Sequence, residues 1–271
     1  MTMTLVEKLN WIKYHDNPPI KTTLTDKYKA KLWVRKTLDE QIRQHPEQLD
    51  CLGDQISGRD YVVPLLGVWN SAEEIDFDLL PESFVLKTNH SCGWNIFVQD
   101  KDALDLEKTR AQLNRWMEKD WSANNRELQY KNIIRRIIAE EYLEGLTEIE
   151  VYCMDGIPRY FTVKEELAFF GFAQNVYDEC FNLLPCRIQM IPSGKKVPNK
   201  TDMKSMNFKR AKCIAEWLCC GLRFVRVDLY EKNGNIYFGE MTFTPNAMGM
   251  SLYPQEYEEK FNSYLSYGKN T

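Results

Sequence analysis

The sequence predicts an α+β protein, organised as one large domain or as two lobes around a cleft, and three observations carry that reading. Residues 149–163 and 224–243 read as β-hairpins: apolar and polar positions alternate, and the turns are Asp155-Gly156 and Asn233-Gly234, dipeptides that accept the positive φ angles of tight hairpin turns. Helical patterns stand before and between these hairpins, an order that argues against a doubly wound parallel sheet. A chain of 271 residues, 44% of them apolar, is long enough to bury one large core or two smaller ones.

Residues 25–45 read as a helix with Thr25 as its N-cap. Short β-rich runs follow at 61–69 and 82–90, separated by the acidic stretch SAEEIDFD, and residues 94–100 read as a further strand. Residues 103–121 place Leu104, Leu106, Leu113, Trp116 and Met117 at helical spacing. IIRRIIAEEYLEG (133–145) reads as a strand ending at Gly145, the stretch 165–205 as irregular and aromatic, and 207–221 as a helix. The expected organisation is an N-terminal helical segment (1–58), a smaller lobe (59–138) and a C-terminal lobe (139–271).

Composition narrows the function. A formal charge of −4 gives no general attraction to phosphate backbones, which argues against nucleic acid as a partner. The first residues carry charges at Glu7, Lys8 and Lys13 and do not read as a signal peptide, and no run of 18 apolar residues occurs. The eight cysteines form no C-x-x-C pair, and with three histidines there is no zinc-site spacing. Scattered thiols without an export signal predict a reduced, cytoplasmic protein.

Three constellations carry chemistry. In the last hairpin Arg226 and Asp228 share one face of a strand at i and i+2, and Glu240 and Thr242 repeat that spacing on the partner strand. Two carboxylates converging there would suit Mg²⁺, a hard cation held by one or two carboxylates plus substrate phosphates, with Arg226 beside them as a fixed cation. Cross-strand ion pairs on a solvated face would give the same spacing. In VLKTNHSCGWNIFV (85–98), Lys87 ends a strand and a loop of small and polar residues, from Ser91 through Gly93 to Asn95, follows. Backbone N–H groups in such a loop cradle phosphate oxygens and a lysine adds charge, although no Walker A pattern is present. An ordinary hairpin loop with a surface lysine is the alternative; His90 reads as an acid–base group or a structural histidine. In AEEYLEG (139–145) Tyr142 and Leu143 could lie against an adenine ring, and Glu148 could accept from a ribose diol. Solvent-facing glutamates are the plain reading there.

The order of these parts resembles the ATP-grasp superfamily, and more closely its TupA-like members from bacterial polysaccharide gene clusters. The phrases that carry the resemblance are LTDKYKAKLWV, VVPLLGVW, FVLKTNHSCGWNI, YKNIIRRIIAEEYLEG, FNLLP and FVRVDLYEKNGNIYFGEMTFTP, over residues 24–250. It implies ATP in the cleft, with Lys27 and Lys87 on its phosphates and Ser91, Gly93 and Asn95 in the covering loop. It further implies Glu140, Glu141, Tyr142 and Leu143 as the hinge against adenine, Glu148 on the ribose, and Asp228 and Glu240 on Mg²⁺. Arg226 would steady an acyl phosphate and a tetrahedral intermediate. Thr242 stands where the wider superfamily has asparagine; the TupA-like group, like this chain, has threonine there. About 24 residues precede the Asp26-Lys27 helix, a short helical segment in place of a full preceding domain, so the acceptor would be held by residues 165–205 or a partner chain.

By resemblance, the activity is ligation of a carboxylate to an amine through an acyl phosphate, the carboxylate being a uronic acid of a surface polysaccharide or its precursor and the amine an amino acid or amino sugar. A kinase on the same ATP and metal residues and a non-catalytic nucleotide-binding subunit of a polysaccharide assembly complex are the alternatives. Lys195, Lys196, Lys200 and Lys204 form a basic run that would receive an anionic acceptor or simply be solvated.

Overall fold

Among the described residues, the larger of the two main antiparallel sheets is built on the predicted hairpins. In the computed structural model, which describes residues 3–123, 126–167, 171–191, 193–200 and 207–266, β5 (Thr147–Met154) and β6 (Ile157–Leu167) form one hairpin, and β9 (Phe224–Lys232) and β10 (Asn235–Thr242) the other. Asp155 and Asn233 take φ of 49° and 51° and the glycines after them 74° and 81°, as the two-residue turns require. With β7 (Gly171–Asp178) the strand order is β10-β9-β5-β6-β7. β7 lies within the stretch expected to be irregular; its residues pair along β6 from Tyr160↔Asp178 to Leu167↔Gly171, so tertiary pairing makes a strand of a segment with little pattern of its own.

Period-two alternation sorts this sheet into two faces. Ile149, Val151, Phe161, Val163, Val227 and Leu229 are buried against the helices α3 (Lys27–Gln44) and α6 (Phe208–Cys219). On the opposite face, one end is covered by α1 (Leu5–His15) and α7 (Gln255–Asn262), where Leu9, Ile12 and Phe261 pack with Tyr152, Tyr160 and Phe224. The rest of that face is polar and forms one wall of the cleft. A bulge in β10 between Phe238 and Glu240 lets this strand serve both faces. Ile236 and Phe238 point to the core before it, Met241 and Phe243 after it, so Glu240 and Thr242 reach the cleft. The residue at the bulge is Gly239, where a Cβ would lie 2.9 Å from the Tyr230 ring and 3.0 Å from the Asp228 carbonyl.

The smaller sheet contains β1 (Leu65–Trp69), β2 (Phe84–Thr88), β3 (Asn95–Val98) and β4 (Ile137–Glu141) in the order β1-β4-β2-β3. Phe84, Leu86, Ile137 and Ala139 bury one face against Leu113 of α5 (Leu106–Glu118). Val85, Lys87, Asn95, Phe97 and Glu140 take the other. Because β4 pairs with both β1 and β2, this sheet continues through Glu141, past the expected boundary at 138. The N-terminal segment is helical, with α2 (Pro19–Thr25) before α3 and a short α4 (Leu49–Leu52) after it, and it packs on the large sheet. Thr25 ends α2 rather than capping α3; Asp26 is the cap, accepting from the Tyr28 and Lys29 amides. A two-stranded ribbon of β8 (Arg187–Met190) and β11 (Met250–Tyr253) completes the fold.

Candidate active site

The polar faces of the two sheets enclose two adjoining cavities of about 330 and 810 Å³, which share Lys87, Asn95, Glu140, Glu148, Lys164 and Tyr230. From the large sheet, Glu150, Asp228 and Glu240 stand side by side on β5, β9 and β10. Arg226 donates from Nε and Nη2 to the two oxygens of Asp228 at 2.6 and 2.7 Å, and its Nη1 lies 3.1 Å from Glu150. The Thr242 hydroxyl lies 2.9 Å from an Asp228 oxygen and 3.0 Å from a Glu240 oxygen. Glu240 is ion-paired with Lys27, which enters from the first turn of α3. Against the cost of burial, Lys27 and then Arg226 hold the Glu240 carboxyl at about 2. Burial pushes Asp228 up to about 7, opposed by Arg226.

Lys27 is fixed from below. Asn89 is fully buried; its Nδ2 donates to Asp26 at 2.8 Å and to the Ile134 carbonyl at 2.9 Å. Its Oδ1 accepts from the Arg136 amide at 2.7 Å, and its carbonyl from the Lys27 amide. One side chain thereby ties the loop after β2 to the start of α3 and to the run into β4. Satisfying every polar atom is what makes such a buried cross-link rigid.

The small sheet supplies a second charged set. Glu140 is ion-paired with Lys87 at 2.7 Å and with Lys31 at 3.2 Å. Although burial works the other way, Lys31 and then Lys87 hold its carboxyl at about 2. The side chain expected to face adenine is thus engaged with two lysines, because the alternation of β4 turns position 140 to the same face as Lys87. Glu141, Tyr142 and Leu143 line the larger cavity with Val85, Phe97 and Leu146. Tyr142 accepts a hydrogen bond from Gln99 at 2.7 Å and meets Phe97 edge-on, and Phe97 is 63% exposed. Glu148 borders both cavities, paired with Lys164 at 2.8 Å.

In the loop after β2, Gly93 (φ 75°) and Asn95 border the smaller cavity, and a Cβ at Gly93 would meet nothing within 4 Å. Ser91 is turned away: its buried hydroxyl bonds that of Thr88, leaving only its backbone to the loop. His90 is buried under Trp94, with Nε2 at 3.3 Å from the Trp116 carbonyl; burial lowers its pKa, which suits a neutral structural ring rather than an acid–base group. Of the basic run, Lys200 pairs with Glu165, Lys196 lies over the Tyr253 ring, and Lys204 lies outside the described residues.

A family of sequences described as TupA-like ATPgrasp matches residues 49–266, most of the chain. The chain belongs to that family. Its fold is accordingly ATP-grasp, with two α+β lobes about the cleft. Similar solved structures include D-alanine–D-alanine ligase from Bacillus anthracis complexed with ATP (17% identity, TM-score 0.43, 82% of this chain and 55% of that one). D-Alanine–D-alanine ligase from Helicobacter pylori gives 12% identity and a TM-score of 0.44 over 90% of this chain and 61% of that one. N5-carboxyaminoimidazole synthetase from Staphylococcus aureus gives 12% and 0.38 over 81% and 44%. This ATP-grasp chain therefore spans about half the length of these structures. No curated protein matches it.

The donor set of the cleft fits a hard divalent cation: Asp228 and Glu240 offer carboxylate oxygens on neighbouring strands, both within hydrogen-bond reach of one Thr242 hydroxyl. Several cleft residues escaped the sequence reading. Glu150 shares the face of Glu148 at i+2, and Lys31 the face of Lys27 at i+4; both spacings were visible but had no partner to give them meaning. Asn89 and Gln174 had no signal at all. Among the described residues, no helix is long and apolar enough to cross a membrane.

Proposed function

We propose that this protein is an ATP-dependent carboxylate–amine ligase. The observation that carries the proposal is the convergence in one cleft of Lys27 and Lys87 from different elements with the Arg226, Asp228, Glu240 and Thr242 row. ATP would lie with its base among Val85, Phe97, Tyr142 and Leu143, in the apolar part of the larger cavity, and its phosphates toward Lys87 and the loop around Gly93. Magnesium held by Asp228 and Glu240, with Thr242 beside them, would offset charge on the phosphates.

The residues of the chain then divide the work. Lys27 and Lys87 hold the phosphate chain in line for attack by a carboxylate oxygen on the γ-phosphorus, with ADP leaving. Arg226 faces the acyl phosphate so formed and stabilises the oxyanion as an amine nitrogen bonds to the acyl carbon and phosphate departs. The acceptor wall includes Phe172 and Gln174 of β7. For the carboxylate we propose a uronic acid of a bacterial surface polysaccharide or its precursor, and for the amine an amino acid or amino sugar, on family analogy.

Hydroxylamine tests the reaction class. It captures an acyl phosphate as a hydroxamate and leaves a phosphate ester untouched. Incubated with Mg-ATP, hydroxylamine and a panel of uronic acids and their nucleotide-linked forms, the protein should yield a hydroxamate, with one ADP and one phosphate per product. A stable phosphomonoester and no hydroxamate from any carboxylate would make it a kinase.

A further inference from the structure

We propose that Glu150 is a positioning residue that keeps the Arg226 guanidinium aimed into the cleft when Asp228 is engaged with a cation. The proposal rests on the reading above, in which Asp228 is a metal ligand and Arg226 serves the reacting acyl group. Asp228 now gives both oxygens to Arg226, at 2.6 and 2.7 Å. An oxygen that turns to a divalent cation holds a guanidinium less firmly, because the cation draws on the same lone pairs and repels the same charge. Arg226 then needs an anchor that the metal does not share.

Glu150 is built as that anchor. It stands opposite Asp228 in register on β5, and one of its oxygens lies 3.1 Å from Arg226 Nη1. The other accepts from the Thr162 hydroxyl at 2.6 Å, from the Gln174 amide, and from the Tyr152 hydroxyl at 3.3 Å. Gln174 also donates to Thr162 at 2.8 Å, so the supports brace one another across β6 and β7. One oxygen of Glu150 serves the arginine while the other is locked in place. With one oxygen on Arg226 and the other on Thr162, Gln174 and Tyr152, both oxygens of Glu150 are already engaged. A buried carboxylate with this support merely to close a sheet would be costly, since apolar side chains at 150, 162 and 174 would pack as well.

The test uses Glu150→Gln, which keeps the shape but loses the charge and sets an NH2 against one of its two donors, Arg226 or Gln174. In ¹⁵N-labelled protein with Mg²⁺ and a non-hydrolysable ATP analogue, restricted rotation keeps the Arg226 Nη signals resolved in the wild type; they should merge in Glu150→Gln. Hydroxamate kcat should fall on the order of tenfold to a hundredfold, as for loss of an orienting partner, while the analogue's Kd stays within about twofold. Resolved signals in the variant, or a kcat loss matched by an equal loss of nucleotide affinity, would overturn the proposal. Should Glu150→Gln fail to fold, Thr162→Val removes one support; it should lower kcat severalfold at constant Kd, and unchanged kcat would overturn the proposal. The spectra need no acceptor. Merged signals without any hydroxamate from wild type would sink the ligase reading alone, and resolved signals beside wild-type hydroxamate would sink the role of Glu150 alone.

Discussion

Two cavities of similar size lie on either side of the Lys31–Glu140 ion pair, and they differ in kind. The cleft cavity of about 810 Å³ has Glu140 in its wall; the other, about 760 Å³, has Lys31, with Arg35, Asp54, Arg59, Asp60 and Tyr237. The first adjoins buried carboxylates and cations that are paired and hydrogen-bonded, among them Glu140, whose carboxyl is held at about 2 by Lys31 and Lys87 against the cost of burial. In the second, Arg35 and Arg59 are exposed, and Gln55 is occupied in holding the Asp60 and Ile236 backbone. Volume alone therefore does not distinguish a site. Charge brought into a dry wall and held there by partners does, because it has a desolvation cost that packing by itself would not sustain.

The contrast can be broken by experiment. The largest expected effect is at the carboxylates proposed to hold magnesium: Glu240→Gln should leave the fold intact and lower Mg-ATP turnover about a hundredfold, the loss of a preorganised charge contact. Wild-type turnover from Asp228→Asn/Glu240→Gln would remove the basis for calling this cleft the active one.

Next comes the shared ion pair. Glu140→Gln leaves Lys31 buried without its anion, and should cost on the order of 3 kcal/mol at pH 7 in a denaturant titration. The pH dependence has a definite sign. The folded carboxyl lies at about 2, below its ordinary 4.5, so its contribution is present above about 4.5 and is lost as pH falls toward 2. The gap between wild type and Glu140→Gln should therefore narrow over that window; a gap that widened on acidification would mean that Glu140 is not ionised in the fold. The smallest effect belongs to the second cavity. Arg35→Ala/Arg59→Ala should change stability by no more than about 0.5 kcal/mol per site and leave turnover unchanged. A clear fall in turnover would erase the distinction between the two cavities.

Sequence by itself determined the local elements and the identities of the charged groups that share the face of the last hairpin. The Asp-Gly and Asn-Gly turns specify two hairpins because few other dipeptides accept those φ angles, and the period-two pattern assigns Arg226 and Asp228 to one face. Long phrases shared with a family did the rest, since a match over many residues constrains a fold where a single i, i+2 pair does not. Tertiary structure alone decided what depends on distant partners. β7 became a strand by pairing with β6, Glu140 paired with two lysines that lie 53 and 109 positions away along the chain, and Asn89 joined three segments. Glu150 gained a role only when β9 brought Arg226 alongside it. Local propensity encodes backbone angles and the side of a strand, whereas the partner of a buried charge is set by which strands become neighbours, a long-range choice that no short window of residues contains.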